Sequence, residues 1–490
     1  MIVGMSTTCF EQLIKRSGRI LVYSISLFWL ISSNVQAQSW VQIGRTIDAS
    51  HSDFSSGNGV SLDSSGTQLV MASLEIMSHQ SRHLAKCYSL QSTEKTELVT
   101  GSEGTNVVTT VELEWSQKKE LIWLDNLDQS VTNIDQDAKG HLVMFGFGDG
   151  LDSGSVVAYG WQGYNPGWGK PQWNKKGQSL ALKEGSFVDF ATAISASGRI
   201  LGISSLNGWA KDKNNSGSIQ LYEFKDEDWR RKGKAIGADS GMYWASEVSL
   251  SRDGSIVGAY GYDYNRNIHF RIHEFREGIW EIMGSDISLD LGFKNAKPSI
   301  DMSSDGNIAV LGISKHRVDG EAIGEVRTYR YSNESWEQLG QVVSTTTYKE
   351  DFGKLVQLSA DGRRLAVLST LPLEEMKTRL RIRMYKLEGD LWVQVANSID
   401  YDGWDGDPNV SISMDSKGER IAIGSTFTDI GHDSKIRVYG WSETDEPPAP
   451  SIDPERPEVH IMVAQDATQQ IPKVEDKKVC WIKRIFGKKK

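Results

Sequence analysis

The chain has 490 residues, a formal net charge of -10 and 9% aromatic residues. A mild acidic excess with no basic stripe argues against a nucleic-acid-binding body, so no nucleic-acid partner is expected. Sixteen Trp, 15 Tyr and 14 Phe beside 47 Gly point to aromatic-anchored strands joined by tight turns, and the expected class is all-β.

The first element reads as an export signal. Lys15, Arg16 and Arg19 precede the apolar stretch 20–32, and Val35-Gln36-Ala37 offers a small-residue exit. Cleavage after Ala37 is expected, giving a signal at 1–37 and a secreted or extracytoplasmic mature chain. An uncleaved signal-anchor is the alternative, although the apolar run is short for spanning a bilayer. Cys9 leaves with the signal, so only Cys87 and Cys480 remain and no disulfide framework can hold the fold.

From 38 to 442 three landmarks recur in one order, seven times each. A Trp opens a strand with the pattern W-x-x-x-G at Trp40, Trp173, Trp229, Trp280, Trp336 and Trp392, with Trp115 as a degraded copy. A turn near Ser-x-Asp-Gly closes at Gly66, Gly140, Gly198, Gly254, Gly306, Gly362 and Gly418. An alternating strand then ends in Tyr88, Tyr159, Tyr222, Tyr329, Tyr385 or Tyr439, with His273 in the fourth copy. The separation from Trp to turn Gly stays at 25 or 26 residues throughout. Insertions are confined to the stretches before Trp173 and Trp115, where the Tyr-to-Trp spacing of 7 grows to 14 and 27.

Each repeat supplies four antiparallel strands. Such a sheet has two apolar faces, and stacking seven around an axis gives each face a neighbour while protecting the edges. The expected fold is a seven-bladed β-propeller. Because the chain enters on a Trp strand and leaves after a Tyr strand, the segment near Ser39–Arg45 should complete the last blade beside Tyr439.

Asp351-Phe352-Gly353-Lys354-Leu355-Val356, running into Ser359-Ala360-Asp361-Gly362, resembles the FG-GAP repeats of integrin-α-like propellers, and more distantly the repeats of WD propellers. The resemblance extends at repeat level from 38 to 442. It implies a propeller that binds or adheres and does not catalyse. Calcium-binding FG-GAP hairpins carry a carboxylate-rich D-x-D-x-D-G loop, whereas each turn here offers one or two carboxylates, so no metal or other cofactor is expected.

The nine histidines show no metal-ligand spacing, and no nucleophile elbow, P-loop or dinucleotide fingerprint is present. No catalytic residue is assigned. Blade geometry places the second turn and the inter-blade link on one face, where loops vary in length. Candidate ligand-binding residues there are Trp209, Tyr243, Trp244, Tyr262, Tyr264, Tyr401 and Trp404, which could stack on a glycan or anchor a protein. The competing reading is that such tryptophans cap the core between blades. A carbohydrate-active propeller enzyme, needing paired carboxylates at the central mouth, and a structural spacer with no ligand are the alternative functions.

After Ser442 an acidic Pro-rich linker spans 443–476, and a basic segment spans 477–490. As a helix, that segment would be amphipathic and could rest on an anionic membrane or polyanion through Lys477, Lys478, Trp481, Lys483, Arg484 and Phe486. A disordered solubilising tail is the alternative.

Overall fold

The turn between the first two strands of each repeat organises the molecule. The computed structural model describes residues 39–442, apart from connecting stretches at 49–58, 78–79, 102–103, 125–129, 149–153, 164–170, 182–190, 206–216, 238–242, 264, 266, 290–297, 315–316, 319–320, 323, 375–376, 405–408 and 427–433. The expected signal, linker and basic segment lie outside the described residues. The turn's leading residue is Ser195, Ser251, Ser303 or Ser359 in four copies and Asp63, Asp137 or Asp415 in three. Serine and aspartate have the same role: the side-chain oxygen accepts the N–H that opens the second strand. Ser251 Oγ accepts from Ile256 at 3.0 Å, and Asp63 Oδ1 from Gln68 at 2.7 Å. The closing glycines lie between φ +63 and +72°, in the left-handed region that a side chain resists.

Neighbouring turns also bind one another. The backbone N–H of Ser64 reaches the carbonyl of Ala138 at 3.1 Å, Ala138 reaches Ala196, Ser197 reaches Arg252, Arg252 reaches Ser304, Ser304 reaches Ala360, Ala360 reaches Ser416, and Ser416 returns to Ser64 at 3.0 Å. Seven bonds thus form a closed belt around the axis at the turn end. Closure in seven steps is the expected blade number.

Behind each turn stands one antiparallel blade. The innermost strands are Val60–Leu62, Ser130–Gln136, Thr192–Ile194, Tyr243–Leu250, Pro298–Met302, Leu355–Leu358 and Asn409–Met414. The seventh blade takes its outer strand from the N-terminal end: Ser39–Gln42 pairs with Ser434–Ser442, with Trp40 opposite Trp441 and Gln42 opposite Tyr439. The expected clasp is therefore present, and it adds Ile47 opposite Ile436.

The apolar core is divided into seven clusters, each lying between two adjacent blades. Phe270 of blade four, for example, packs with Ile300 and Leu311 of blade five, and Phe352 with Val310 and Val326 across the next interface. With no disulfide among the described residues, this burial is the main stabilising term. Cys87 is itself a core residue, and burial pushes its thiol up to about 12.

The Trp-x-x-x-Gly landmark has an inter-blade role too. Its glycine forms a left-handed bulge in the outer strand, and the next blade's Trp lies against it: an added Cβ on Gly233 would come within 3.0 Å of Trp280. The indole N–H of Trp280 donates to the carbonyl of Lys232 at 3.0 Å, as Trp229 does to Lys176 and Trp336 to Met283. Blade six breaks the pattern expected at Trp392, placing Ala396 at φ +59° where five other copies use glycine, and the degraded Trp115 copy has Lys119 at that place. The long insertion before Trp115 continues blade one as a ribbon: Gln80–Gly101 pairs with Gly104–Gln117 out to Gly101 opposite Gly104.

These geometries predict opposite effects at equivalent sites. Gly233→Ala should lower unfolding stability by about 1–2 kcal/mol from left-handed strain alone, whereas Ala396→Gly should raise it by about 0.5–1 kcal/mol. Denaturant midpoints of the two variants against the parent check both signs.

Candidate functional site

Alternate side chains of the innermost strands turn toward the axis. The residue two positions before each turn leader forms one ring, made of Ser61, Asp135, Ala193, Ser249, Asp301, Gln357 and Ser413. Glu247, Ser299 and Leu355 line the wall one layer farther from the turns. Together these strands enclose a cavity of about 230 Å³.

Three carboxylates stand in this wall, and each also fastens one blade to the next. Asp135 Oδ2 accepts the Ile194 N–H at 3.0 Å, Asp301 Oδ2 accepts that of Leu358 at 2.8 Å, and Glu247 Oε2 accepts that of Ile300 at 2.9 Å. Asp301 Oδ1 takes further bonds from Met302 N–H at 2.8 Å and Ser249 Oγ at 3.1 Å. Ser413 Oγ plays the same fastening part for Leu62 at 2.8 Å, so blades seven and one are joined as well.

Among the described residues, none that lines the wall is a lysine, arginine or histidine that would offset this charge. Burial pushes the Asp135 carboxyl up to about 6 against the pull of its two backbone N–H partners, with Asp301 and Asp137 adding to the rise. Burial likewise lifts Asp301 to about 6, and it carries Glu247 to about 8, helped by the nearby Asp301 charge. Each carboxylate keeps partial exposure toward the cavity, so solvent can reach it while the wall disfavours its charge. Of the three, the Glu247 carboxyl is lifted farthest. Gln357 Oε1 in the ring and Thr192 Oγ1, one residue before Ala193 and so on the strand face turned from the axis, are buried with no hydrogen-bond partner among the described residues.

A second polar group lies in blade four. His269 stands between Asp263, 3.4 Å from Nε2, and Asp286, 3.6 Å from Nδ1, while Ser288 Oγ is 3.0 Å from Nδ1. Arg271 holds Asp286 at 2.7 Å. The Asp263 carboxyl is raised by burial but held below its usual range by hydrogen bonds from Asn267 and His269.

Of the aromatic candidates, five stand in strands and not in loops. Tyr243 and Trp244 open the innermost strand of blade four, opposite Tyr262 and Gly261. Tyr262 closes the second strand and packs edge-on against Tyr260 at 5.7 Å. Trp404 ends the outer strand of blade six opposite Lys377. These positions share the face away from the Asp-Gly turns. Tyr401 packs between blades six and seven, with the Arg437 guanidinium 4.8 Å from its ring, and burial drives its phenol upward. Trp209 and Tyr264 lie outside the described residues, as do Lys477, Lys478, Trp481, Lys483, Arg484 and Phe486.

Sequence reasoning missed Asp135, Glu247 and Asp301. The signal was present, since Asp135 and Asp301 sit two residues before the leaders Asp137 and Ser303. Among the described residues no group of three His, Cys, Asp or Glu side chains is arranged to hold a metal ion.

No family model matches the chain, and no curated protein matches it. Among solved structures it is similar to the C-terminal WD40 domain of Sif2, at 10% identity over 81% of this chain and 98% of that one, with a TM-score of 0.42. It is also similar to the periplasmic gluconolactonase of Pseudomonas aeruginosa, at 14% identity over 74% of this chain and 98% of that one, with a TM-score of 0.39. The TolB protein of Acinetobacter baumannii is similar at 11% identity over 77% and 80% of the two chains, with a TM-score of 0.34. These likenesses are distant and carry no activity to this chain.

The lifted Glu247 carboxyl makes a pH-dependent prediction. A carboxyl whose pKa rises on folding from the ordinary value near ~4.3 favours the protonated native state, so stability is full below that value and lost as pH climbs toward about 8. Glu247→Gln keeps an oxygen for Ile300 and removes this loss. Its melting temperature should match the parent at about pH 4.5 and exceed it at about pH 8.5, by a margin worth roughly 2–4 kcal/mol.

Proposed function

We propose that this propeller is a non-catalytic binding module working outside the cytoplasm, and that it captures a protein or glycan on the face opposite the Asp-Gly turns. The asymmetry of the two faces carries this reading. One face is fixed by seven near-identical turns locked into a belt. The other takes the varied connections between strands, with Tyr243, Tyr262 and Trp404 at the strand ends beneath them. Variable loops on a rigid frame are where recognition is usually built. The FG-GAP-like run 351–362 is consistent with an adhesive role.

One observation favours a second reading. Glu247, whose carboxyl burial lifts to about 8, shares the channel with Asp301, which is lifted less, and a raised acid sharing a site with a second carboxylate is the pairing that glycosidic cleavage uses. Against it, both Asp301 oxygens already accept hydrogen bonds. Incubating the protein with a glycan panel and assaying for new reducing ends or unsaturated products decides between them. The binding reading expects retention without turnover.

The full chain screened on glycan and protein arrays should retain one ligand class. Trp209→Ala or Tyr264→Ala should weaken that binding by about tenfold or more with an unchanged melt. Tyr401→Ala, by contrast, should lower stability by about 3–5 kcal/mol. Binding that survives every loop-face substitution would overturn the assignment of this face.

We also propose that the basic segment 477–490 holds the exported propeller near an anionic surface. Each near-surface Lys or Arg contributes on the order of 1 kcal/mol, screened by salt. In vesicle co-sedimentation the full chain should partition at low salt and release at high salt, while a version ending at Glu458 stays in solution. Equal partitioning of both leaves the segment as a solubilising tail.

A further inference from the structure

The outer strand of each blade is a sheet edge, and most of these edges are guarded. Ser39–Gln42, Gln172–Lys175, Asp228–Arg231, Ile279–Ile282 and Ser335–Gln338 are only four residues long. Leu391–Trp404 runs for 14 residues, but its pairing shifts register between Ile382 and Met384, and Ala396 there takes φ +59°. Short strands and bulges both stop an edge from templating a further strand. Gly104–Gln117 of blade one has neither device. It is 14 residues long and pairs with Gln80–Gly101 in one unbroken register, from Tyr88 opposite Gln117 to Gly101 opposite Gly104.

The sequence leaves the same edge unguarded. From 105 to 111 every residue except Asn106 is β-branched, none is charged, and there is no Pro or Gly, a composition that favours strand pairing. The opposite edge of the ribbon carries Glu94, Lys95 and Glu97, the kind of charge that keeps further strands away. By strand alternation Leu98, Val107, Val111 and Leu113 stand on one face of the ribbon with Leu90 and Trp115. Trp115 joins that face to the cluster between blades seven and one, whereas Leu113 is 36% exposed. Beyond Leu90 the ribbon has two strands and no third among the described residues, and a two-stranded ribbon is marginally stable in water by itself.

We propose that this edge pairs with the same edge of a second copy of the chain, antiparallel about Thr109, to make a four-stranded sheet between two propellers. A two-fold pairing sets residues near its axis against their own copies, where any charge would repel itself, so the axis needs an uncharged run such as 105–111. About Thr109 the sequence is self-complementary. Val107 of one copy falls opposite Val111 of the other, Asn106 opposite Glu112 and Gly104 opposite Glu114, and no like charges meet. Moving the axis to Leu113 would set Glu112 against Glu114 on both sides of it. At ~3.4 Å per residue Thr109 is about 20 Å along the strand from Trp115, so the two Trp115 bases stand roughly 40 Å apart and the rings have room. The site is separate from the loop face and does not depend on it.

Sedimentation equilibrium of the full chain over a range of concentrations tests this, and a monomer–dimer equilibrium is expected. Thr109→Lys and Thr109→Glu each set like charges against each other at the axis and should weaken dimerisation by about tenfold or more. Mixing these two variants in equal amounts should restore it, because opposite charges then meet there. Thr109→Gln, which adds no charge, should stay within about threefold of the parent. Among the described residues none from 91 to 114 belongs to an inter-blade cluster, so every variant should melt with the parent at a dilution where the parent is monomeric. The proposal falls if the parent is monomeric at every concentration, which leaves the edge for a strand of another protein, or if it grows past a dimer into polymers. It falls equally if charge at Thr109 leaves the dimer unchanged, or if the equal mixture associates no more strongly than either variant alone.

Discussion

Everything in this fold depends on the ring closing. A four-stranded blade exposes two apolar faces, and neither can be left in water without losing the burial that holds the chain together. Seven inter-blade clusters provide that burial, and none of them belongs to a single blade. The closed belt of turn hydrogen bonds and the clasp of Ser39–Gln42 on Ser434–Ser442 are therefore one constraint seen at two radii. Opening the junction between blades seven and one would expose the cluster that lies there and break the belt in the same event. Stability should accordingly be shared around the ring and not stored in any one repeat.

Closure also dictates the character of the channel. Once seven innermost strands surround an axis, every second side chain on each strand faces its counterparts across a narrow space, whatever its chemistry. Serine fits such a wall easily, because Ser413 can accept a neighbour's N–H and carry no charge. Aspartate and glutamate accept the same bond at the expense of a lifted pKa. Asp135, Glu247 and Asp301 thus satisfy the local rule that inner-strand N–H groups need acceptors while violating the rule that buried charges need partners. Departures of that kind are where a fold most often makes room for a ligand.

The architecture was largely legible in the sequence because its markers act locally. A turn glycine at positive φ, a leading Ser or Asp that accepts the N–H opening the next strand, and a Trp seated on the preceding bulge recur at fixed spacing because each repeat solves the same local problem. The channel carboxylates were not legible in the same way. Asp135 and Asp301 look like ordinary turn-flanking residues, and only the closed ring shows that they face one another. The aromatic candidates were read as loop residues because Tyr and Trp cluster there with Gly and Asp, but the strands of blades four and six run longer than the turn spacing implied. Pairing of Tyr243 with Tyr262 and of Trp404 with Lys377 carries the sheet to the rim.

The belt explains where the chain tolerates additions. Turns that join the first and second strands are tied to two neighbours through their backbone, so lengthening one would break bonds in two directions. Turns that join the third and outer strands lie on the same face but at the periphery, outside the belt, and there blade one extends its hairpin from Tyr88 opposite Gln117 to Gly101 opposite Gly104 without disturbing its neighbours' register. On the far face no such belt is formed among the described residues, and second-to-third-strand connections run from the close pairing of Met77 with Gln80 to the separated ends Ser205 and Ser218. Length variation therefore follows distance from the constrained inner turns, which leaves the far face as the surface most open to change without loss of the ring.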